Sequence, residues 1–379
     1  MLVRCGTLLD GTGRPPRRGA VVRIEDGRIA AVDGERSAGD GERVVDWSAH
    51  AVLPGLIDAH DHLTLDLGDE EAQSRMPETW SVLQGAGNAA RILAAGITTM
   101  RDCGARLGLD GQLKRAIEAG VIRGPRVLVA GVPLTVTGGQ CWFLGGEADS
   151  PGEIRRLIRQ QVKAGADWIK VFVTGGVATR GSNMLRAQFS REDLRVIVEE
   201  THEADRRVVA HCHGGPGTRS AIEAGVDTLE HGVYFTREEL EGLAQHRIPL
   251  VITYGVYEQG MRSAAVPPFF RQRCGEVMAR YLETIALARE LGVRIAVGTD
   301  TVHCDLVAEL RALRKAGYTA AEAVRAATAW GADALQLPSV GTIEAGRGAD
   351  LIAVDGDPAE DVEAIGRVRG VMRGGELVT

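Results

Sequence analysis

The middle of the chain repeats one rhythm: a short apolar run, a turn, then an amphipathic stretch with helical spacing. The apolar runs fall near 52–60, 96–101, 126–131, 167–173, 207–211, 227–230, 248–254 and 294–299. Continuous apolar runs of this length suit strands buried on both faces. The segments between them carry helix starts. Ser190 with Asp193, Thr236 with Glu239 and Thr319 with Glu322 fit the capping box, in which side chain and backbone satisfy each other's free groups. The run from Thr218 to Ala224 has room only for a brief helix. Eight strands alternating with helices predict an α/β fold of the (β/α)8 TIM-type barrel class over 54–340. A doubly wound open sheet is the alternative, but no Gly-x-Gly-x-x-Gly turn follows the first strand.

Both ends have a different texture. Residues 1–53 alternate short apolar segments with turns such as Asp10-Gly11-Thr12-Gly13 and Glu25-Asp26-Gly27. From Gly341 the pattern returns, with Leu351 to Val354, Asp355-Gly356-Asp357-Pro358, then Val368 to Val371. Strand-and-turn alternation at both ends predicts a small β-sandwich domain built from 1–53 plus 341–379.

Composition narrows the function classes. The net charge of −7 and 4% aromatic content leave no basic, aromatic-studded face for nucleic acid or for an anionic membrane. No run approaches the about 18 to 20 apolar residues that span a bilayer, and Met1 to Gly6 does not open a signal peptide. Six scattered cysteines without a Cys-x-x-Cys pair fit reduced thiols, so a cytoplasmic protein is expected. Only four lysines stand among 44 basic residues, which makes Lys114, Lys163, Lys170 and Lys315 worth individual attention.

In a barrel, chemistry sits where strands end. His60 and His62 close the first strand two residues apart, so both imidazoles leave on one face and Asp61 turns to the other. Lys170 lies inside the fourth strand, Trp168-Ile169-Lys170-Val171-Phe172-Val173, where an ammonium is costly to bury. His211 ends the fifth, His231 the sixth and Asp300 the eighth. Each has a plainer reading alone: a core histidine, a helix cap at Asp300, a lysine of depressed pKa or one paired with Asp300. Together they converge on one mouth.

The order His-x-His, Lys, His, His, Asp on strands one, four, five, six and eight resembles the amidohydrolase superfamily. Pro54 to His62, Gly96 to Asp102, Gly298-Thr299-Asp300 and Gly341 to Leu351 look like its imidazolonepropionase and prolidase-like branch. The resemblance covers nearly the whole chain, including the joined terminal β-domain. It implies a two-metal site, zinc first among the candidates. His60, His62 and Asp300 would hold the more buried ion and His211 and His231 the more exposed one. Lys170, carboxylated by CO2, would bridge both. The carbamate is an anionic ligand with two oxygens, a role arginine cannot take.

The implied reaction is hydrolysis of an amide bond by a metal-bridged hydroxide. Two ions lower the pKa of a shared water and polarise the carbonyl. Asp300 would act as general base and then acid. Ring deaminases of the superfamily usually hold one metal, lack the lysine and carry a glutamate after the fifth strand. His211-Cys212-His213-Gly214-Gly215 has none. Substrate contacts are expected from Gln140, where prolidase-like relatives commonly have histidine after Thr-Gly-Gly, from Tyr254 at the end of the seventh strand, and from Arg180 in the loop Thr174 to Asn183. Gln140 donates a hydrogen bond but cannot titrate, which weakens transfer of the dipeptidase activity. His213, Cys212 and His303 stand near the site, and His50, His202 and His246 outside it. The expected substrate is a small N-acyl amino acid or dipeptide, and the expected assembly a homo-oligomer. A cyclic-amide hydrolase, a peptide-tailoring amidase of a biosynthetic pathway and a metal-free homologue are the alternatives.

Overall fold

A computed structural model describes residues 1–34, 39 and 41–378. Eight parallel strands form its centre: Leu56–Asp61, Ile97–Asp102, Arg126–Val129, Trp168–Phe172, Arg207–Cys212, Thr228–His231, Leu250–Ile252 and Ile295–Val297. Nearly every residue in them is buried, which is why they read as continuous apolar runs. Helices follow the strands and lay an apolar stripe against them. Glu78–Ala94, for instance, buries Ala89, Ile92 and Leu93 at helical spacing. The three capping boxes form as expected on helices Arg191–Glu203, Arg237–His246 and Ala320–Ala326.

The strands are TIM-barrel-like, but their ladders do not close. Strands one to three pair as one arc and strands four to eight as another. The arcs meet at single parallel bridges, Asp61 with Asp300 and Leu134 with Val171. At the first seam the Asp300 N–H donates to the His60 carbonyl at 2.7 Å. Gly298 makes that approach possible, since a Cβ there would lie 2.5 Å from that of His60.

The expected seventh strand, 248–254, stops at Ile252, and the chain turns into helix Tyr254–Arg262. Buried Glu309 draws the chain into that turn by accepting the N–H groups of Tyr254 and Gly255 at 2.7 and 2.5 Å.

The expected terminal sandwich is one eight-stranded sheet. Its spine is Val44–Pro54, parallel to Leu2–Leu8 on one side and antiparallel to Leu351–Val354 on the other. Because this strand pairs on both edges, the two ends of the chain share one ladder. Trp47, Ile343, Leu351 and Met372 pack under it in a core separate from that of the barrel-like part. Among the described residues no helix is long and apolar enough to cross a membrane.

Candidate metal centre

Six side chains from five strand ends meet at the C-terminal mouth: His60, His62, Lys170, His211, His231 and Asp300 all line one cavity. The ring centroids of His60 and His62 are 5.5 Å apart, those of His60 and His231 4.9 Å, and those of His211 and His231 4.5 Å. Donor atoms of His60, His231 and Asp300 lie within 4.8 Å of one another. Asp300 Oδ1 stands 3.9 Å from His62 Nε2.

The backbone pays for this aim. His231 and Asp300 have φ of 70° and 57°, the left-handed region that costs a non-glycine residue roughly 1 kcal/mol.

Each imidazole is oriented through its outer nitrogen. His60 Nδ1 binds Glu230 Oε2 at 2.6 Å, and Glu230 Oε1 in turn accepts from Arg101 at 2.9 Å. His62 Nδ1 donates to the Gly104 carbonyl at 2.8 Å, and His231 Nδ1 meets Thr253 Oγ1 at 2.7 Å. These bonds leave the Nε2 atoms free for the cavity. His211 is reversed: its Nε2 sits 3.3 Å from the Gly175 carbonyl and 3.2 Å from His213 Nδ1, so Nδ1 is its free donor.

Burial, with the Lys170 charge adding to it, holds His60 well below the ordinary histidine range and His62 down to about 4. His211 and His231 are lowered by burial and then by neighbouring imidazoles. All four therefore present neutral lone pairs, the form a metal requires. Burial pushes the Asp300 carboxyl up to about 7, with Lys170 opposing.

Of the cavity-lining residues, three have a buried atom without a hydrogen-bond partner among the described residues: Lys170 Nζ, His231 Nε2 and Gln140 Oε1. Lys170 is 1% exposed, and its Nζ has the Phe172 ring 5.5 Å away but no hydrogen-bond partner among the described residues. An unpaired buried charge of this kind is several kcal/mol out of place. Neutral imidazoles, a carboxylate and an orphaned lysine together fit a metal-binding donor set.

Gln140 also lines the cavity, with Oε1 buried and unbonded. Tyr254 and Arg180 do not line it. The Tyr254 ring lies beside Tyr281 and under Lys315, and the Arg180 guanidinium lies 4.7 Å over the Phe269 ring. The tyrosine that does reach the cavity is Tyr257, whose hydroxyl is 3.0 Å from His213 Nε2. His213 is thus part of the wall, and burial lowers it to about 3. His303 stands behind it, binding Asp61 at 2.8 Å and Asp66 at 3.0 Å. Cys212 faces Thr218, His50 pairs with Asp355 and His202 with Asp227, all away from the cavity. Sequence reasoning missed Glu70, which enters from the loop after strand one, and the Arg101–Glu230 pair behind His60. Arg101 and Glu230 sit in otherwise apolar strands, a signal that the lysine shared.

The free cavity is about 40 Å3, room for roughly three waters. The loop 174–183 walls it. Arg273, from helix Pro268–Met278, holds this loop by donating to the carbonyls of Gly176, Val177, Thr179 and Ser182 at 2.7 to 3.3 Å.

A parallel α/β fold with histidines and a carboxylate gathered at its C-terminal mouth defines the class of barrel-type metal hydrolases. The chain belongs to the amidohydrolase family, whose model matches residues 51–378. It is 32% identical to ochratoxinase of Aspergillus niger, over 99% of this chain and 86% of that one. It is 27% identical to the imidazolonepropionase of Salinispora tropica, over 89% of this chain and 86% of the other. The fold superposes on the crystal structure of a Xaa-Pro dipeptidase with bound methionine in its active site, with a TM-score of 0.93 and 29% identity, covering 99% and 98% of the two chains. The protein is therefore a hydrolase acting on amide bonds, in the imidazolonepropionase and prolidase-like branch of a family that typically uses two metal ions.

Proposed function

We propose that His60, His62, Lys170, His211, His231 and Asp300 hold two divalent ions, zinc before others, and that the substrate is a small N-acyl amino acid or dipeptide. One observation carries this reading: the buried Lys170 Nζ has no partner, although four neutral imidazoles and Asp300 surround the same cavity. Addition of CO2 to the Lys170 nitrogen, with loss of two protons from the ammonium, would give an anionic carbamate able to serve both ions and would remove the uncompensated positive charge. In this assignment His60, His62 and Asp300 serve one ion, and His211 and His231 the other. The imidazoles are already oriented and uncharged before either ion arrives.

When bound, the ions supply an acidified water and a polarised scissile carbonyl. The chain's own groups do the rest. Asp300 Oδ1 takes the water's proton and returns it to the leaving amine. The carbonyl-facing role expected of Tyr254 passes to Tyr257, whose hydroxyl His213 orients. Gln140 Nε2 offers a hydrogen-bond donor to the acyl side, and apolar Phe172, Val256 and Phe270 shut out bulk water.

The dipeptidase likeness and the complete donor set support this reading. The imidazolonepropionase likeness keeps a cyclic amide as the second reading. We assign 54–340 to the catalytic domain and 1–53 with 341–379 to the accessory β-domain, which the separate cores support. Six free cysteines support a reducing, cytoplasmic setting. Zinc-loaded protein is to be assayed against dipeptides, N-acyl amino acids and cyclic amides. Release of free amino acid from linear amides is expected. Turnover of cyclic amides alone would overturn the linear-substrate reading.

A further inference from the structure

With the six proposed metal ligands set aside, the cavity wall holds one acidic side chain among the described residues. It is Glu70. The rest of the lining is neutral, Gln140, Tyr257 and His213, or apolar. No arginine lines the cavity, because Arg180 lies on Phe269 and Arg273 is spent on loop carbonyls.

Glu70 is held firmly. It opens helix Glu70–Ser74, whose first turn is capped by the Asp69 side chain accepting from Ala72. The loop before it is tied to the eighth-strand end by Leu67 N–H donating to the Thr301 carbonyl at 2.8 Å. Gln73 clamps the same turn, bonding Asp66 through both its amide oxygen and nitrogen at 2.8 and 2.7 Å. Its neighbour Glu71 is neutralised by Arg75, whereas the Glu70 carboxylate has no ion pair or hydrogen bond among the described residues. Burial, and after it the charge of Asp300 in the same cavity, pushes the Glu70 carboxyl up to about 8. A fixed, partly buried carboxyl that has no cation beside it is matched by a cation that arrives with the substrate and favours its ionised form.

We propose that Glu70 is a specificity-determining residue that binds a protonated amine next to the scissile carbonyl, so that the enzyme selects dipeptides and aminoacyl amides with a free amino terminus over N-acyl compounds. This rests on the proposed amide-hydrolase reading and narrows its substrate class. Glu70 Oε1 and Oε2 accept N–H bonds from the substrate ammonium while Tyr257 and Gln140 face the carbonyl. An N-acetyl group removes that charge and leaves the carboxylate desolvated and unpaired, which disfavours it.

The test has a turnover arm and a binding arm, both on zinc-loaded protein. A free dipeptide and its N-acetyl derivative, sharing one scissile bond, are compared by kcat/KM. Leucinamide and N-acetylleucinamide are compared by calorimetry. The parent is expected to favour the free amine by about 10- to 100-fold in each arm, the worth of a charge-assisted hydrogen bond. Glu70→Gln should collapse both ratios toward one, Glu70→Asp should keep part of them, and both variants should retain the parent's zinc content. Equal handling of the two members of each pair by the parent overturns the proposal, as does a ratio that survives Glu70→Gln. Loss of zinc in Glu70→Gln would make Glu70 a ligand and overturn it too. If neither peptide is cleaved while leucinamide binding depends on Glu70, the amide-hydrolase substrate reading fails and the amine site stands.

Discussion

Arg101 shows how far the site's requirements reach into the core. Its guanidinium is wholly buried, binds Glu230 at 2.9 Å and the Ala59 carbonyl at 2.9 Å, and lies 4.4 Å over the Trp168 ring. Glu230 is equally buried and sets the orientation of His60. Replacing one partner of such a pair leaves the other charge uncompensated. Arg101→Met should therefore destabilise the fold by about 3–5 kcal/mol in urea denaturation. A change within about 0.5 kcal/mol would mean that Glu230 needs no countercharge. His303 gives the pH counterpart. Burial works to lower it, but Asp61 and Asp66 outweigh burial and raise it to about 10, against 6.5 for a free histidine. A group raised on folding contributes its full stability below the unfolded value and loses it as pH rises through the folded one. The stability gap between the parent and His303→Gln should thus be widest below about pH 6.5 and shrink steadily toward pH 10. A gap that widens over that range would contradict the ion pair.

The next scale is the loop and helix pair that closes the mouth. A 40 Å3 cavity is smaller than a dipeptide, so the proposed substrate requires the wall to move during turnover. The segment best placed to move is 174–183, joined to helix Pro268–Met278 by the four Arg273 contacts. Arg273→Ala should raise amide exchange across 176–182 at least several-fold and lower kcat/KM, read by hydrogen exchange with mass spectrometry. Unchanged exchange would show that the loop is held by other contacts. Elements of this kind explain where sequence reading succeeds and stops. The buried parallel strands were legible because most positions along them are apolar, so Lys170, His211 and His231 stood out against that background. The end of the seventh strand was not legible. Glu309, 55 residues further on, turns the chain into a helix there and carries Tyr254 outward and Tyr257 inward. Glu70 was hidden for a different reason: it lies in a polar loop where a glutamate is unremarkable, and only the fold brings it to the cavity.

At the scale of the whole molecule, the chain joins the two arcs of the barrel-like part to one terminal sheet. The barrel-like part brings the proposed ligands from distant points in sequence to one mouth, and one of its two seams lies at His60 and Asp300. The terminal sheet was legible as strand-rich but not as a single ladder. The parallel pairing of Leu2–Leu8 with Val44–Pro54, and of the latter with Leu351–Val354, depends on long-range register that local alternation does not encode. The central claim concerns two ions bridged through Lys170. It is tested most directly by elemental analysis of bound zinc in the parent and in Lys170→Ala, both prepared with zinc and bicarbonate. Two equivalents per chain in the parent and no more than one in the variant are expected. Two in both, or none in the parent, would contradict the bridged pair.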